Sequence, residues 1–164
     1  DGKVPIAAVE GAPRDIMLAT DLVREPIDPG APPVDELGVI DRSVLDFRRD
    51  LDHRWLAAQR PGWLYRRAGR PVAYAYHHHR PAGGGPSAAL GPGDLPTLLA
   101  DAERSALAAG HPTITFDMAL TARTAWDPLL GGGYRADPFV MLFFTAGPVR
   151  GLDRYVLTSP PFFA

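Results

Sequence analysis

The stretch PSAALGPGDLPTLLADAERSALAAG, residues 86–110, decides how the rest of the chain is interpreted. A short apolar segment runs into a Gly-Pro-Gly turn, and the turn leads into an amphipathic helix. The free N–H groups and the positive dipole end of such a helix start commonly bind phosphate. The first question is therefore whether this junction binds a phosphate or whether the chain itself satisfies its N–H groups.

The composition is that of a globular protein without strong charge bias. The chain has 164 residues, of which 46% are hydrophobic, a formal net charge of −2 and no cysteine. This length fits one domain with a core and is too short for two large ones. The charge balance argues against nucleic acid and anionic membranes as partners. The lack of cysteine excludes disulfides, thiolate catalysis and cysteine-based zinc sites.

The N-terminus, DGKVPIAAVEGAP, lacks the basic and apolar segments of a signal peptide. No apolar run approaches the roughly 20 residues that span a bilayer. We therefore expect a cytoplasmic protein. The first residue is Asp1 rather than Met, so the sequence leaves open whether the chain is a fragment of a longer one.

Two segments differ in character. Residues 1–34 are rich in proline and show little periodicity, which predicts an arm or interdomain linker. Within it, Ile16–Val23 is the part that could pack as a strand, at a sheet edge. Residues 35–164 are predicted to form the folded domain.

The folded part begins with apolar residues at steps of three or four, which predicts a helix, or a broken pair of helices, with one buried face. These residues are Leu37, Ile40, Val44, Phe47, Leu51 and Trp55. A hairpin over residues 63–79 follows, and then come strands at 87–90 and 111–120 and a short helix. The last predicted strand, PFVMLFF at 138–144, is apolar on both faces, so we expect it to be central.

This order of elements predicts an α+β domain with a mixed, mostly antiparallel central sheet flanked by helices. We expect a V-shaped opening between the strands around Ala88 and Phe116. We also expect Trp55, Phe116, Phe139 and Leu142 to lie in the core, because each sits on an apolar face by periodicity.

The same order resembles the GCN5-related N-acetyltransferase (GNAT) family, which has the acyl-CoA N-acyltransferase fold. The resemblance covers residues 35–145 and is carried by GRPVAYAY, SAALGPGDLPTLLADAE, HPTITFDMAL, and TARTAWDPLLGGGYR with PFVMLFF. The closing LDRYVLTSPPFF is similar to the end of tandem GNAT-like proteins. The resemblance implies transfer of an acetyl group from acetyl-CoA, or of another acyl group from its CoA ester, to a small amine.

The resemblance also implies a donor site at the quoted junction. Pantetheine would pair with the strand backbone at Ala88, Ala89 and Leu90, and the loop glycines Gly91 and Gly93 would contribute backbone to the pyrophosphate site. The loop departs from the family pattern, because it has no Arg or Gln and because Pro92 and Pro96 remove two N–H donors. Asp94 is the predicted N-cap, and its carboxylate would repel a pyrophosphate. We therefore predict weak or absent acetyl-CoA binding.

Two catalytic candidates follow. The family's proton-donating tyrosine corresponds to a position near Leu129, which cannot donate a proton. Tyr134 and Tyr76 are possible substitutes at other positions, and Tyr134 is the one retained as a candidate. Asp117 lies on the polar side of a strand next to the expected cleft, where a carboxylate could act as general base, directly or through water.

Three consecutive histidines, His77, His78 and His79, are a further candidate site. Alternation on a strand places His77 and His79 on one face. They could bind a metal if Asp117 or His111 supplied a third ligand, or one of them could transfer a proton. Polar residues without a chemical role are the alternative, and no metal site is predicted.

Three functions thus remain open. The first is a GNAT-type N-acyltransferase with a degenerate pyrophosphate loop. The second is a non-catalytic GNAT-like domain that serves as a structural, dimerisation or ligand-sensing module, beside a partner domain or as a homodimer. The third is a metal or small-ligand site on the histidine strand.

Overall fold

A computed structural model describes residues 2–79, 82–145, 147 and 150–158, without the side chains of His79, Ala82 and Thr145. These residues form eight strands and four α-helices. The strands are β1 (Gly2–Gly11), β2 (Val23–Pro26), β3 (Gly62–Arg67), β4 (Arg70–His79), β5 (Ala82–Ala89), β6 (Ile114–Ala119), β7 (Arg135–Thr145) and β8 (Tyr155–Leu157). The helices are α1 (Val34–Leu45), α2 (Asp50–Gln59), α3 (Leu95–Ala108) and α4 (Arg123–Gly131). Short 3-10 turns lie at Pro92–Asp94 and Leu152–Arg154.

The strands form one sheet in the order β2-β3-β4-β5-β8-β6-β1-β7. Neighbours in this order run antiparallel, and β5 also meets β6 in parallel where Gly83 pairs with Thr115. The prediction of an α+β fold with a mixed, mostly antiparallel sheet flanked by helices is confirmed. The predicted opening between β5 and β6 is present, and β8 lies in it.

Helices cover both faces of the sheet. Phe116 and Met118 project toward α3 and α4, where both are fully buried. Tyr74 and Tyr76 project toward α1 and α2 and are equally buried. This division follows from the alternation of side chains along each strand. Among the described residues, no helix has the length and apolar content needed to cross a membrane.

The N-terminal residues contribute two strands to this sheet. β1 lies in its interior between β6 and β7, and β2 forms an edge beside β3. The predicted strand at Ile16–Val23 is wrong, because residues 16–22 are not part of any strand and lie beside α3. Arg14 holds this segment through a salt bridge of 2.9 Å to the buried Glu103. The predicted domain boundary at residue 34 stays a prediction.

The break between α1 and α2 decides which of the apolar residues predicted to share one buried helix face are buried in the structure. Asp46 has a left-handed φ of 71° and ends α1. Leu37, Ile40 and Val44 of α1 are buried, as predicted. Phe47, Leu51 and Trp55 were predicted to share their buried face, but they are 44%, 80% and 53% exposed. α2 begins at Asp50 and is rotated about its axis relative to a continuation of α1. His53 and Leu56 therefore face the core instead. The prediction of a core position for Trp55 is therefore wrong.

β7 is an edge strand, so the prediction that it is central is wrong. Phe139 is 70% exposed and Leu142 is 54% exposed, which also contradicts their predicted core positions, whereas Phe116 is in the core as predicted. Met141 and Phe143 are half-buried against the rest of the protein. An apolar pattern on both faces indicates that both faces are suited to burial, but it does not identify what covers them.

Candidate functional site

The candidate site is the opening between β5 and β6. These strands pair in parallel at Gly83 and Thr115 and then diverge. β8 runs antiparallel to both in the space between them. Its residue Val156 pairs with Ser87 on one side and with Met118 on the other.

The side chains of β8 fill the opening on both faces of the sheet. Val156 projects into the core under α3 and α4 and is completely buried. Tyr155 and Leu157 project into the core under α1 and α2, with 1% and 2% of their surface exposed. The strand is therefore part of both cores, and the space between β5 and β6 is closed at this level.

Contacts at both ends hold β8 in position. Arg60 Nη1 donates to the hydroxyl of Thr158 at 2.6 Å and to the carbonyl of Gly85 at 2.9 Å. Arg154 Nη1 donates to the carbonyl of Leu90 at 2.8 Å. Gly85 permits the close approach of the Leu157 carbonyl, since a Cβ at residue 85 would overlap that oxygen.

The residues predicted to contact an acyl donor lie along this closed edge. Ala88 pairs with Tyr74 of β4 on one side and with Tyr155 of β8 on the other. Ala89 is fully buried on the opposite face. The Leu90 carbonyl is the group that accepts from Arg154. The edge of β5 that is predicted to bind pantetheine is thus already paired with β8.

The start of α3 differs from the predicted cap. Within the described part of the chain, Asp94 makes no capping hydrogen bond. Its carboxylate instead accepts from Arg67 Nη2 at 2.8 Å and from Nη1 at 3.3 Å. The physical reason is that Asp94 has helical dihedral angles inside the 3-10 turn, whereas a capping side chain requires an extended residue.

The 3-10 turn uses N–H groups that a pyrophosphate would need. The Asp94 N–H donates to the Gly91 carbonyl at 3.1 Å, and the Leu95 N–H donates to the Pro92 carbonyl. Gly93 is exposed, at the tip of this turn. With β8 in the opening and a carboxylate at the helix start, the residues present do not fit an acyl-CoA in this conformation.

Asp117 borders the opening on the face of α1 and α2. It is half-buried and pairs in register with Leu157. Burial raises the pKa of its carboxyl group above the ordinary value. A carboxylate with a raised pKa can act as a general base if a substrate reaches it.

Tyr134 lies on the other face of the sheet. Its ring packs 6.2 Å from that of Phe116, and the guanidinium of Arg14 lies 5.1 Å from its centroid. Burial, and then the neighbouring Glu103, raise the pKa of its hydroxyl well above the ordinary value. The sheet separates Tyr134 from Asp117, so the two predicted catalytic residues are not brought together. Leu129, near which the resemblance places the family's tyrosine, is buried in the same core as Tyr134.

A buried polar network that the sequence analysis missed lies beneath α1 and α2. Asp41 of α1 accepts from the Tyr74 hydroxyl at 2.6 Å and from Arg49 Nε at 3.2 Å. His53 Nε2 lies 2.9 Å from Asp41, and its Nδ1 lies 3.1 Å from the Tyr76 hydroxyl. A histidine protonated on Nε2 satisfies both partners, because Nδ1 then accepts from Tyr76.

This network reaches β8 through Arg49, whose guanidinium carbon lies 5.5 Å from the ring centroid of Tyr155. Burial by itself would raise the pKa of Asp41, but the hydrogen bond with His53 and the charge of Arg49 outweigh it and lower that pKa. The sequence contained one signal of this network. Asp41 stands four residues after Leu37 and four before Leu45, inside the apolar face of α1.

Among the described side chains, His77 does not come together with Asp117 as a metal site. His77 is buried against the Trp63 ring at 4.7 Å, on the side of α3, whereas Asp117 faces α1 and α2. Over the described ranges, no three His, Asp or Glu side chains come together as a metal site. The side chain of His79 lies outside the described residues.

Comparisons with known proteins identify the fold. No family model matches the chain, and no curated protein sequence matches it. Solved structures do match. One is a Drosophila protein with 16% identity and a TM-score of 0.61, matched over 86% of this chain and 50% of that one.

Two further matches carry a proposed enzymatic name. A proposed GNAT-family acetyltransferase from Novosphingobium aromaticivorans has 16% identity and a TM-score of 0.60 over 86% of this chain and 63% of that one. A proposed acetyltransferase from Pyrococcus horikoshii has 14% identity and a TM-score of 0.63 over 93% of this chain and 49% of that one. This chain thus spans between 49% and 63% of the length of these three structures. It has the fold of the GCN5-related N-acetyltransferases.

Proposed function

We propose that this chain is a non-catalytic domain with the GNAT fold, in which the cleft that would hold an acyl donor is closed by the chain's own C-terminal strand. The observation that carries the proposal is the pairing of β8 with both β5 and β6. An acyl-CoA could bind the predicted edge at Ala88 only if this pairing were broken. Tyr155, Val156 and Leu157 would also have to leave two hydrophobic cores.

The helix start supports the same proposal. A pyrophosphate at a helix N-terminus depends on several directed N–H groups, and each net hydrogen bond to a charged group contributes about 1.5–3 kcal/mol. Here the Asp94 and Leu95 N–H groups bind carbonyls of the turn, and Pro92 and Pro96 have no N–H. The loss of two or three such bonds separates a micromolar ligand from a millimolar one.

Calorimetric titration of the full chain with acetyl-CoA tests this function. We expect no binding tighter than roughly 1 mM, which corresponds to about −4 kcal/mol. The Asp94→Asn variant removes the carboxylate charge without changing the size of the side chain, and we expect at most a slight improvement. A low-micromolar affinity of the unmodified chain would contradict the proposal.

N-acyl transfer to an amine is the second candidate function, and the observation that favours it is Asp117. This carboxylate borders the cleft, and its raised pKa suits a general base. The function requires a conformation in which β8 has left the opening. The same titration distinguishes the two functions, because an acyltransferase must bind its donor.

We further propose that a second copy of the chain pairs with the open edge of β7. Phe139, Leu142 and Phe144 are more than half exposed on this edge strand. The apolar stretch 138–144 is self-complementary. An antiparallel pairing centred on Met141 sets Phe139 of one copy opposite Phe143 of the other and leaves Asp137 outside the apolar contact. Such a contact pairs two open strand edges and is closed by a two-fold axis.

A further inference from the structure

The backbone of β8 occupies the opening as an added strand. β5 and β6 are parallel to each other and diverge after Gly83 and Thr115, so each presents toward the gap a strand edge that the other does not pair. β8 runs antiparallel to both and pairs with Ser87, Ala88, Asp117 and Met118. A peptide that adds a strand obtains its affinity from such main-chain hydrogen bonds and its specificity from pockets for alternate side chains.

Those pockets are well defined for three consecutive residues. The aromatic ring of Tyr155 packs on the α1 and α2 side, 5.5 Å from the guanidinium carbon of Arg49. The small aliphatic Val156 enters the opposite core under α3 and α4. Leu157 returns to the first face, where the missing side chain of Gly85 leaves room for its carbonyl.

A fourth position is recognised by a polar contact. Thr158 is buried, and its hydroxyl accepts a hydrogen bond of 2.6 Å from Arg60 Nη1. The same nitrogen donates to the Gly85 carbonyl, so Arg60 joins the end of the peptide strand to β5. A hydroxyl at this position therefore completes a contact that a hydrophobic residue would leave unsatisfied.

β8 does not pair with β7, the strand that precedes it in the chain. β7, which precedes it, lies three places away in the sheet, beyond β6 and β1. β8 is three residues long and is held by β5, by β6, by the core and by Arg60, the residue that follows α2, rather than by a hairpin. Contacts with other elements therefore hold β8 in the sheet, as they would hold a separate bound peptide.

We infer that the cleft between β5 and β6 is a binding site for an extended peptide with the pattern aromatic, aliphatic, aliphatic, hydroxyl, and that residues 155–158 are its resident ligand. The inference rests on the proposed function and deepens it, because it gives the closed cleft a ligand class other than an acyl-CoA. A peptide of this pattern supplied by another molecule binds the same site when the resident segment is displaced.

A full-length chain with a site-specific protease sequence inserted after Gly147 tests the inference. The uncut variant, with the circular dichroism spectrum and melting temperature of the parent, is the control for folding. After cleavage, we expect the C-terminal fragment to co-elute with the rest of the protein. We also expect it to exchange for a fluorescent peptide RGLDRYVLT, residues 150–158, measured by fluorescence anisotropy.

Variant peptides measure the pockets. A peptide with Val156→Asp should bind at least about a hundredfold more weakly, because it would bury a carboxylate in an apolar core. The matched control is Asp153→Asn, since that side chain is 48% exposed and should bind like the natural peptide. If the cut protein unfolds when its fragment is removed, addition of the natural peptide should restore the folded spectrum.

Three results would overturn the inference: separation of the fragment without rebinding of the peptide, equal binding of the Val156→Asp peptide, or failure of the peptide to restore folding. These results leave the acetyl-CoA titration unaffected. Displacement of the bound peptide by micromolar acetyl-CoA would instead contradict the proposed function while leaving the peptide site in place. The two proposals therefore fail separately.

Discussion

The carbonyl oxygen of Leu157 passes so close to Gly85 that a Cβ atom at residue 85 would overlap it. This contact lies where β8 fits against β5, and the overlap is with backbone, which cannot rotate away. The Gly85→Ala variant should therefore be destabilised by about 1–3 kcal/mol, the usual cost of overpacking.

Chemical denaturation of the two-state transition measures this difference. Gly93→Ala is the matched control, because a Cβ there meets nothing within 4 Å. We expect the control to stay within about 0.5 kcal/mol of the parent. Equal stability of the Gly85→Ala variant and the parent would mean that β8 does not lie against β5 in solution.

Two phenylalanines that the sequence analysis placed in the core should respond differently to truncation. Phe116 is completely buried and Phe139 is 70% exposed. Phe116→Ala should cost about 3–5 kcal/mol, because it removes buried apolar surface and leaves a cavity. Phe139→Ala should change the free energy of unfolding by at most about 0.5 kcal/mol. Similar melting temperatures for the two variants would contradict the assigned burial.

The buried carboxylate of Asp41 should make stability depend on pH. Its pKa is lowered from the ordinary value of 3.8 in the folded state, so the folded protein binds fewer protons than the unfolded chain near that pH. The stabilisation is therefore complete above the unfolded pKa and is lost as the pH falls through the lower folded value. Removal of one member of a buried ion pair typically costs about 3–5 kcal/mol, and we expect Asp41→Asn to cost this at neutral pH.

Denaturation curves between pH 7 and pH 2 measure this effect. The acid-side loss of stability should be smaller in Asp41→Asn than in the parent. Asp153→Asn, at a half-exposed position, should retain the parent's profile. An unchanged pH profile in Asp41→Asn would show that Asp41 is not ionised in the fold.

The exposed edge of β7 should govern self-association. We expect the chain to sediment as a dimer. We expect the Leu142→Lys variant to sediment as a monomer that is still folded, with the melting temperature of the parent's monomer. Leu130→Lys is the control, because Leu130 is exposed to a similar degree on α4, away from β7. A monomeric parent chain would rule out a second copy as the group that covers β7.

The apolar pattern of the sequence predicted burial correctly where a strand has one face against a core. Ile114, Phe116 and Met118 alternate along β6 and all are buried on the same side, as the sequence indicates. The order of helices and strands likewise predicted the mixed sheet and its opening. The alternation along β6 follows from the spacing of residues two positions apart, which a single sequence displays directly.

The site itself was predictable only in part. The departure of the loop from the family pattern was visible in Pro92 and Pro96, but the partner of Asp94 was not. Arg67 lies 27 residues earlier in the chain and reaches Asp94 across the hairpin of β3 and β4. The network around Asp41 joins residues from α1, from the start and interior of α2, and from β4. A polar residue on the apolar face of α1 therefore indicates a buried partner but does not identify it.

By itself, the sequence determined the fold class of this protein, the alternation of its strands and the absence of cysteine chemistry. The tertiary structure decided that β7 lies at an edge and that Tyr155, Val156 and Leu157 fill the opening between β5 and β6. The physical reason is that strand pairing joins residues far apart in the chain. Val156 lies 69 positions from Ser87, and nothing in the local periodicity of either segment specifies the other.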